Sequence, residues 1–301
     1  MFWTRRAPAV RIAAALLLVT AIAAPVTAYS DHLGPWGTAV LEVGINSAAA
    51  DGCPIESFDG LHLYLASNRN PLGGATDAND IYRASRETID SPWTTPVRLA
   101  APVNSIAADF CPTPLPGKRL YFVSARAGGC GAGDIYRTRE HPVRGWETPT
   151  NLGCAATGPN FSGGEFSPSI VETPQGTILF FSSAGSSGSV QDLYSATMRA
   201  DGTFGPGTAI SELNTSSNDQ MPNVSRDGLE MVFASDRAGG AGGMDVYRTT
   251  RASTSDSWSV PVSVGAGVNT SASETRPSLS GDGSRLHFGS SGDIWVSTRS
   301  K

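Results

Sequence analysis

Five carboxylates recur along this sequence, each three residues ahead of a proline: Asp51 to Pro54, Asp109 to Pro112, Glu165 to Pro168, Asp219 to Pro222 and Glu274 to Pro277. Gathered on one surface, such groups could ligate a hard cation such as Ca²⁺, bind a polyol, or divide into the acid and base of a glycosidic hydrolysis. Used singly, each could cap a turn by accepting backbone N–H bonds. Two unit charges about 8 Å apart repel by roughly 0.5 kcal/mol in water and by roughly 2 kcal/mol at an effective dielectric near 20. Five of them facing a poorly wetted channel would therefore need a cation, hydrogen bonds or protonation. The cap is the favoured reading, because every repeat keeps the acid and a catalytic pair is expected to stand apart from a repeat.

Other reactive side chains follow the same periodicity or carry little signal. Arg69, Arg126 and Arg237 each follow a serine by two residues and precede a Gly-rich loop. They are expected to fasten that loop near the Asp that opens the next segment, with an anionic ligand as the rival role. Trp36, Trp93, Trp146 and Trp258 read as packing between repeats and not as a sugar-stacking platform. No Gly-x-Ser-x-Gly is present, and the histidines are His32, His62, His141 and His287. His62 and His287 lie within apolar segments, where a packed structural residue is expected. Cys53 and Cys111 hold equivalent repeat positions, while Cys130 and Cys154 fall in two loops that should share one face. Four cysteines allow three connectivities; Cys53–Cys111 with Cys130–Cys154 is the preferred one. A zinc site has no CxxC pair to support it.

The elements that must position these residues come from a repeat running the length of the chain. The acid-x-x-Pro marker keeps phase with an Asp-aliphatic-aromatic marker (Asp80-Ile81-Tyr82, Asp134-Ile135-Tyr136, Asp192-Leu193-Tyr194, Asp245-Val246-Tyr247, Asp293-Ile294-Trp295). A third marker is an aromatic opening a short run of β-formers: Trp36, Trp93, Trp146, Phe204 and Trp258. Each period reads as four short strands joined by glycine turns such as Asp59-Gly60, Asp227-Gly228 and Asp282-Gly283. The prediction is an all-β, five-bladed β-propeller of four-stranded antiparallel blades, approximately 51–99, 109–152, 165–213, 219–264 and 274–301 plus 36–43. The N-terminal strand closes the last blade and removes the exposed edges of an open array. A linear β-solenoid is the alternative.

Pro54-x-x-Ser57-x-Asp59-Gly60, Pro222-x-x-Ser225-x-Asp227-Gly228 and Pro277-x-x-Ser280-x-Asp282-Gly283, each followed by an apolar strand, resemble the PD40 or WD40-like propeller repeat of the TolB-type family. Ser67-Asn68-Arg69, Ser124-Ala125-Arg126 and Ser235-Asp236-Arg237 match the same pattern. The resemblance spans residues 29–301 and implies a periplasmic or secreted binding propeller. The chain has no room for the extra N-terminal domain of TolB, so the lipoprotein partnership of that family is not expected. Blade two departs from the turn pattern with Pro114-Leu115-Pro116-Gly117 and blade three with Thr173-Pro174-Gln175-Gly176; blades three and five lack the arginine.

Arg5, Arg6 and Arg11, an apolar run from Ile12 to Ala24, and Val26-Thr27-Ala28 read as a signal peptide over 1–28. The run is shorter than the roughly 20 residues that span a bilayer. Its removal takes three arginines and no acids, moving formal charge from −5 to −8, which argues against nucleic acid as a partner. The expected protein is secreted or periplasmic, monomeric, free of obligate cofactors apart from a candidate Ca²⁺ at the acid ring, and a non-catalytic binding or scaffolding propeller. Its partner would be a protein, glycan or metal at the channel-mouth face. The alternative is a carbohydrate-active enzyme using two carboxylates of the central funnel.

Overall fold

Short, largely buried runs of six to eleven residues, punctuated by glycine turns, produce strands and no helix among the described residues. The computed structural model describes residues 33–69, 75–186, 188 and 190–301. The expected signal peptide lies outside them. Five antiparallel sheets of four principal strands each make the blades of a five-bladed β-propeller. The inner strands are Asp51–Glu56, Asp109–Leu115, Glu165–Thr173, Asp219–Val224 and Glu274–Leu279. Each mouth acid is thus the first residue of an inner strand.

Ring closure follows the expected phase. Val40 and Leu41 pair antiparallel with Val296 and Trp295 at the outer edge of blade five, and Glu42 N donates to Ile294 O at 2.9 Å. The fourth strands are shorter than their sequences suggest: only two residues of each join the ladder, as in Val97–Arg98 and Val262–Ser263. Trp36, Trp93 and Trp258 precede these ladders and are buried. Trp146 instead forms a small additional strand with Gly145, pairing with His141 and Glu140, and is half-buried.

The core repeats with the blades. Leu65, Phe122, Phe181, Phe233 and Phe288 hold one second-strand station, and Ile81, Ile135, Leu193, Val246 and Ile294 one third-strand station, all essentially without exposure. Burying each such side chain contributes about 1.5–3 kcal/mol. His287 belongs to this buried set and bonds Glu42 Oε2 through Nε2 at 2.8 Å, tying the N-terminal segment to blade five.

Two further devices recur around the ring, one fivefold and joining neighbouring blades, the other inside three of the blades. Asn46, Asn104, Asn160, Asn214 and Asn269 each stand five residues before a mouth acid. Each amide takes both backbone groups of the buried aliphatic residue in the preceding blade's third strand. Asn269, for example, accepts from Val246 N at 2.8 Å and donates to Val246 O at 2.9 Å. The same bidentate bond links Asn46 to Ile294, Asn104 to Ile81, Asn160 to Ile135 and Asn214 to Leu193. Arg86, Arg251 and Arg299 form the other device. Each Nε donates to the carbonyl of an Asp-Gly turn, Gly60, Gly228 or Gly283, at 2.7 Å. Each guanidinium also covers a tryptophan, Trp93, Trp258 or Trp36, at 4.0–4.2 Å.

Candidate functional site

The five mouth carboxylates are 0–4% exposed. Asp51 Oδ2 accepts from Ser47 N at 2.6 Å and Ser47 Oγ at 2.9 Å, and Asp109 and Asp219 repeat this with Ser105 and Thr215. Glu274 takes Thr270 N at 3.0 Å and Oγ1 at 2.6 Å, and Glu165 takes Phe161 N at 2.8 Å. All five therefore receive a backbone N–H from four residues earlier. Among the described residues, no group of three or more His, Cys, Asp or Glu side chains is arranged to hold a metal ion.

The arginines depart from the expected pairing. Arg69 donates to Asp51 at 2.5 Å, Arg126 to Asp109 at 2.8 Å and Arg237 to Asp219 at 2.5 Å, not to the Asp that opens the next strand. Register is the cause: Asp51 lies opposite Ser67, Asp109 opposite Ser124 and Asp219 opposite Ser235, so an arginine two residues on turns back toward the acid. Each guanidinium also reaches a carbonyl, of Ile45, Val103 or Leu213, at 2.7–2.9 Å. The Asp of the next strand is otherwise engaged. Asp80 pairs with Arg98, and Asp134 and Asp245 accept N–H groups of their own glycine loops.

Blade three lacks the arginine, with Ala184-Gly185 after Ser183. Glu165 there receives the Phe161 N–H and the Ser183 hydroxyl at 3.1 Å, and its Oε2 is enclosed without a partner. Burial pushes its pKa up to about 8, against the lowering effect of those two bonds. That shift favours the protonated acid at neutral pH. It is also 0% exposed, so it has no surface to offer a substrate.

Both disulfides have the preferred connectivity. Cys53 is bonded to Cys111 across neighbouring inner strands, with Cα atoms 4.9 Å apart, and Cys130 to Cys154 at 5.5 Å. Every inner strand carries a bulge just after its acid, where pairing lapses over two residues, the second of them the proline.

Beyond the bulges the inner strands open into a concavity of about 460 Å³ to which all five blades contribute. This funnel is at the opposite mouth from the acids, and strand alternation gave no sign of it. Exposed Phe58 stands on its rim, with the Arg226 guanidinium 3.6 Å from its ring centroid, so blade four reaches across to blade one. The two glutamates lining the funnel are held by arginine. Glu56 takes Arg285 at 2.9 and 2.7 Å, and Glu172 takes Arg119 at 2.6 and 3.0 Å.

No family model matches this chain, and no curated protein matches it in sequence. Its fold is similar to several solved propellers. A putative TolB from Agrobacterium tumefaciens aligns over 86% of this chain and 78% of its own, with TM-score 0.51 and 18% identity. A thermostable family-43 glycoside hydrolase aligns over 86% of this chain and 92% of its own, with TM-score 0.57 and 12% identity. An endo-arabinase from Bacteroides thetaiotaomicron aligns over 87% and 97%, with TM-score 0.52 and 16% identity. At these identities the shared property is the propeller itself, on which binding proteins and hydrolases are both built.

Proposed function

We propose that this chain is an exported, non-catalytic binding or scaffolding propeller that contacts a protein or glycan through the funnel. The observation that carries this reading is the fate of the carboxylates. At one mouth all five are buried in caps, three of them against arginine; at the other, Glu56 and Glu172 are both in ion pairs. A glycosidase needs two carboxyl groups about 5–9.5 Å apart and open to the sugar. The funnel offers instead an exposed aromatic ring beside a guanidinium, a pairing suited to recognition. The apolar N-terminal run and two disulfides support an oxidising compartment, secreted or periplasmic.

Screening the purified protein on glycan arrays and against envelope or extracellular proteins tests the reading. A Phe58→Ala/Arg226→Ala double variant is expected to lose at least about tenfold in affinity for the ligand found, with Tm unchanged. The carbohydrate-active alternative draws on the likeness of fold to glycoside hydrolases. Turnover of an arabino-oligosaccharide that disappears in Asp109→Asn or Glu165→Gln protein would replace the binding reading with it.

A further inference from the structure

The residue two places after each mouth acid occupies one backbone station five times over. Cys53, Cys111, Ser167, Met221 and Arg276 all take left-handed φ values of 46–58°. Four of them, Cys53, Cys111, Ser167 and Arg276, line a throat of about 20 Å³ on the channel, which shares Ile55, Thr113 and Asn223 with the funnel beyond it. That volume suits a single water-sized or halide-sized occupant.

Four of the five residues at this station are neutral: two disulfide-bonded cysteines, a hydroxyl and a thioether. The fifth is a guanidinium, which stays charged under all ordinary conditions. The backbone does not require it, because the other four adopt the same φ without a charge. Nor is it neutralised within the protein. Arg276 has no carboxylate within ion-pair distance among the described residues, unlike the paired Arg69, Arg126 and Arg237. Its Nε is enclosed with no hydrogen-bond partner. Burial pulls its pKa downward, and no neighbouring acid opposes that pull.

A second observation points to the same place. At the position before this station, the other blades carry Phe110, Phe166, Gln220 and Thr275, whereas blade one has Gly52. Gly52 is not among the left-handed glycines, so its backbone does not explain it. A Cβ there would come within 2.9 Å of Arg276 Nη1. The inner strand of blade one is cut back where the guanidinium lies.

We propose that the throat binds a compact monovalent anion, a halide or the carboxylate group of a small ligand, with Arg276 as its charged donor. Ser167 Oγ lines the same cavity and bonds a soft acceptor, Cys111 Sγ at 3.5 Å, so its hydrogen is cheaply redirected to an anion. The site is independent of what the funnel docks.

Thermal unfolding of wild type and Arg276→Met at constant ionic strength, in sodium bromide, sodium acetate or a bulky sulfonate salt, tests this. The wild-type Tm should rise by about 3 °C per tenfold increase in a binding anion above its Kd, and stay flat in the sulfonate. Arg276→Met should be flat in all three, and at least as stable as wild type in the sulfonate, because a half-buried charge with no carboxylate partner and an enclosed Nε has gone. A response to bromide alone assigns a halide, and to acetate alone a carboxylate. A wild-type Tm indifferent to both, or a variant that keeps the wild-type slope, overturns the proposal. Should Arg276→Met fail to fold, wild-type crystals soaked in bromide or in a bromine-labelled carboxylate decide. Anomalous density within hydrogen-bond reach of Arg276 supports the site, and a throat empty in both soaks overturns it.

Discussion

Glu165→Gln should make the propeller more stable as the medium becomes alkaline. The folded pKa of about 8 lies above the ordinary 4.5, so between those values the folded chain holds a proton that the unfolded chain has released. The associated stability is complete below pH 4.5 and drains away as pH rises through the folded value. At about 1.4 kcal/mol per pKa unit, wild type loses roughly 3 kcal/mol between pH 5 and pH 8 through this group alone. Glutamine has nearly the shape of the protonated acid and no proton to lose. It places two unpartnered amide hydrogens where the acid has one O–H, and the extra one costs about 1 kcal/mol at every pH, so it shifts the offset but not the slope. Urea denaturation of both proteins at pH 5 and pH 8 reads the difference directly. The variant is expected to be slightly less stable or equal at pH 5 and clearly more stable at pH 8, with a midpoint gap of about 1 M. Parallel pH dependences in the two proteins would refute the reasoning, since they would mean that Glu165 is ionised in the folded state.

Two further outcomes follow from the links between blades. Replacing Cys53 and Cys111 together by serine opens a loop spanning 58 residues of sequence and is expected to cost up to about 4 kcal/mol by chain entropy; denaturant titration checks it, and a loss below about 1 kcal/mol would contradict it. Asn269→Ala leaves the buried N–H of Val246 unpaired, its C=O keeping the Val264 N–H, and should cost about 1–3 kcal/mol, seen as accelerated amide exchange at Val246 as well as lower stability.

The propeller was legible because its markers are obligatory. A buried aliphatic residue, a carboxylate cap and a proline after a bulge are needed once in every blade, so they recur in phase. The asparagine series is equally obligatory, yet Asn104-Ser105 or Asn214-Thr215 reads as ordinary loop composition; only its fixed distance from the following acid distinguishes it. Arg86, Arg251 and Arg299 were hidden for a different reason. They occur only in the blades that keep the Ser-x-Asp-Gly turn whose glycine carbonyl they bond, and blades two and three carry Glu140 and Met198 instead. Arg276 is the opposite case. Reading by repetition averages over a station's occupants, and the informative residue is the one that breaks the average. The bulge added a second obstacle, because it turns two successive residues toward the axis where plain alternation would turn one. The funnel depends on where inner strands end and on side chains from all five blades, neither of which periodicity encodes.

The meeting of the first and last described strands has a topological consequence. Gly34 N donates to Ser300 O at 2.9 Å, and Asn46 bridges the same seam. Between the first and last described segments, the seam is therefore already spanned by hydrogen bonds. In a chain starting at residue 33, a linker of a few residues from 301 back to 33 would allow it to be reopened at another inter-blade loop, so the order in which the blades are made is separable from their arrangement. A fusion partner or surface tether attached there would leave from the outer edge of a single blade, away from the axis on which the throat and funnel are built.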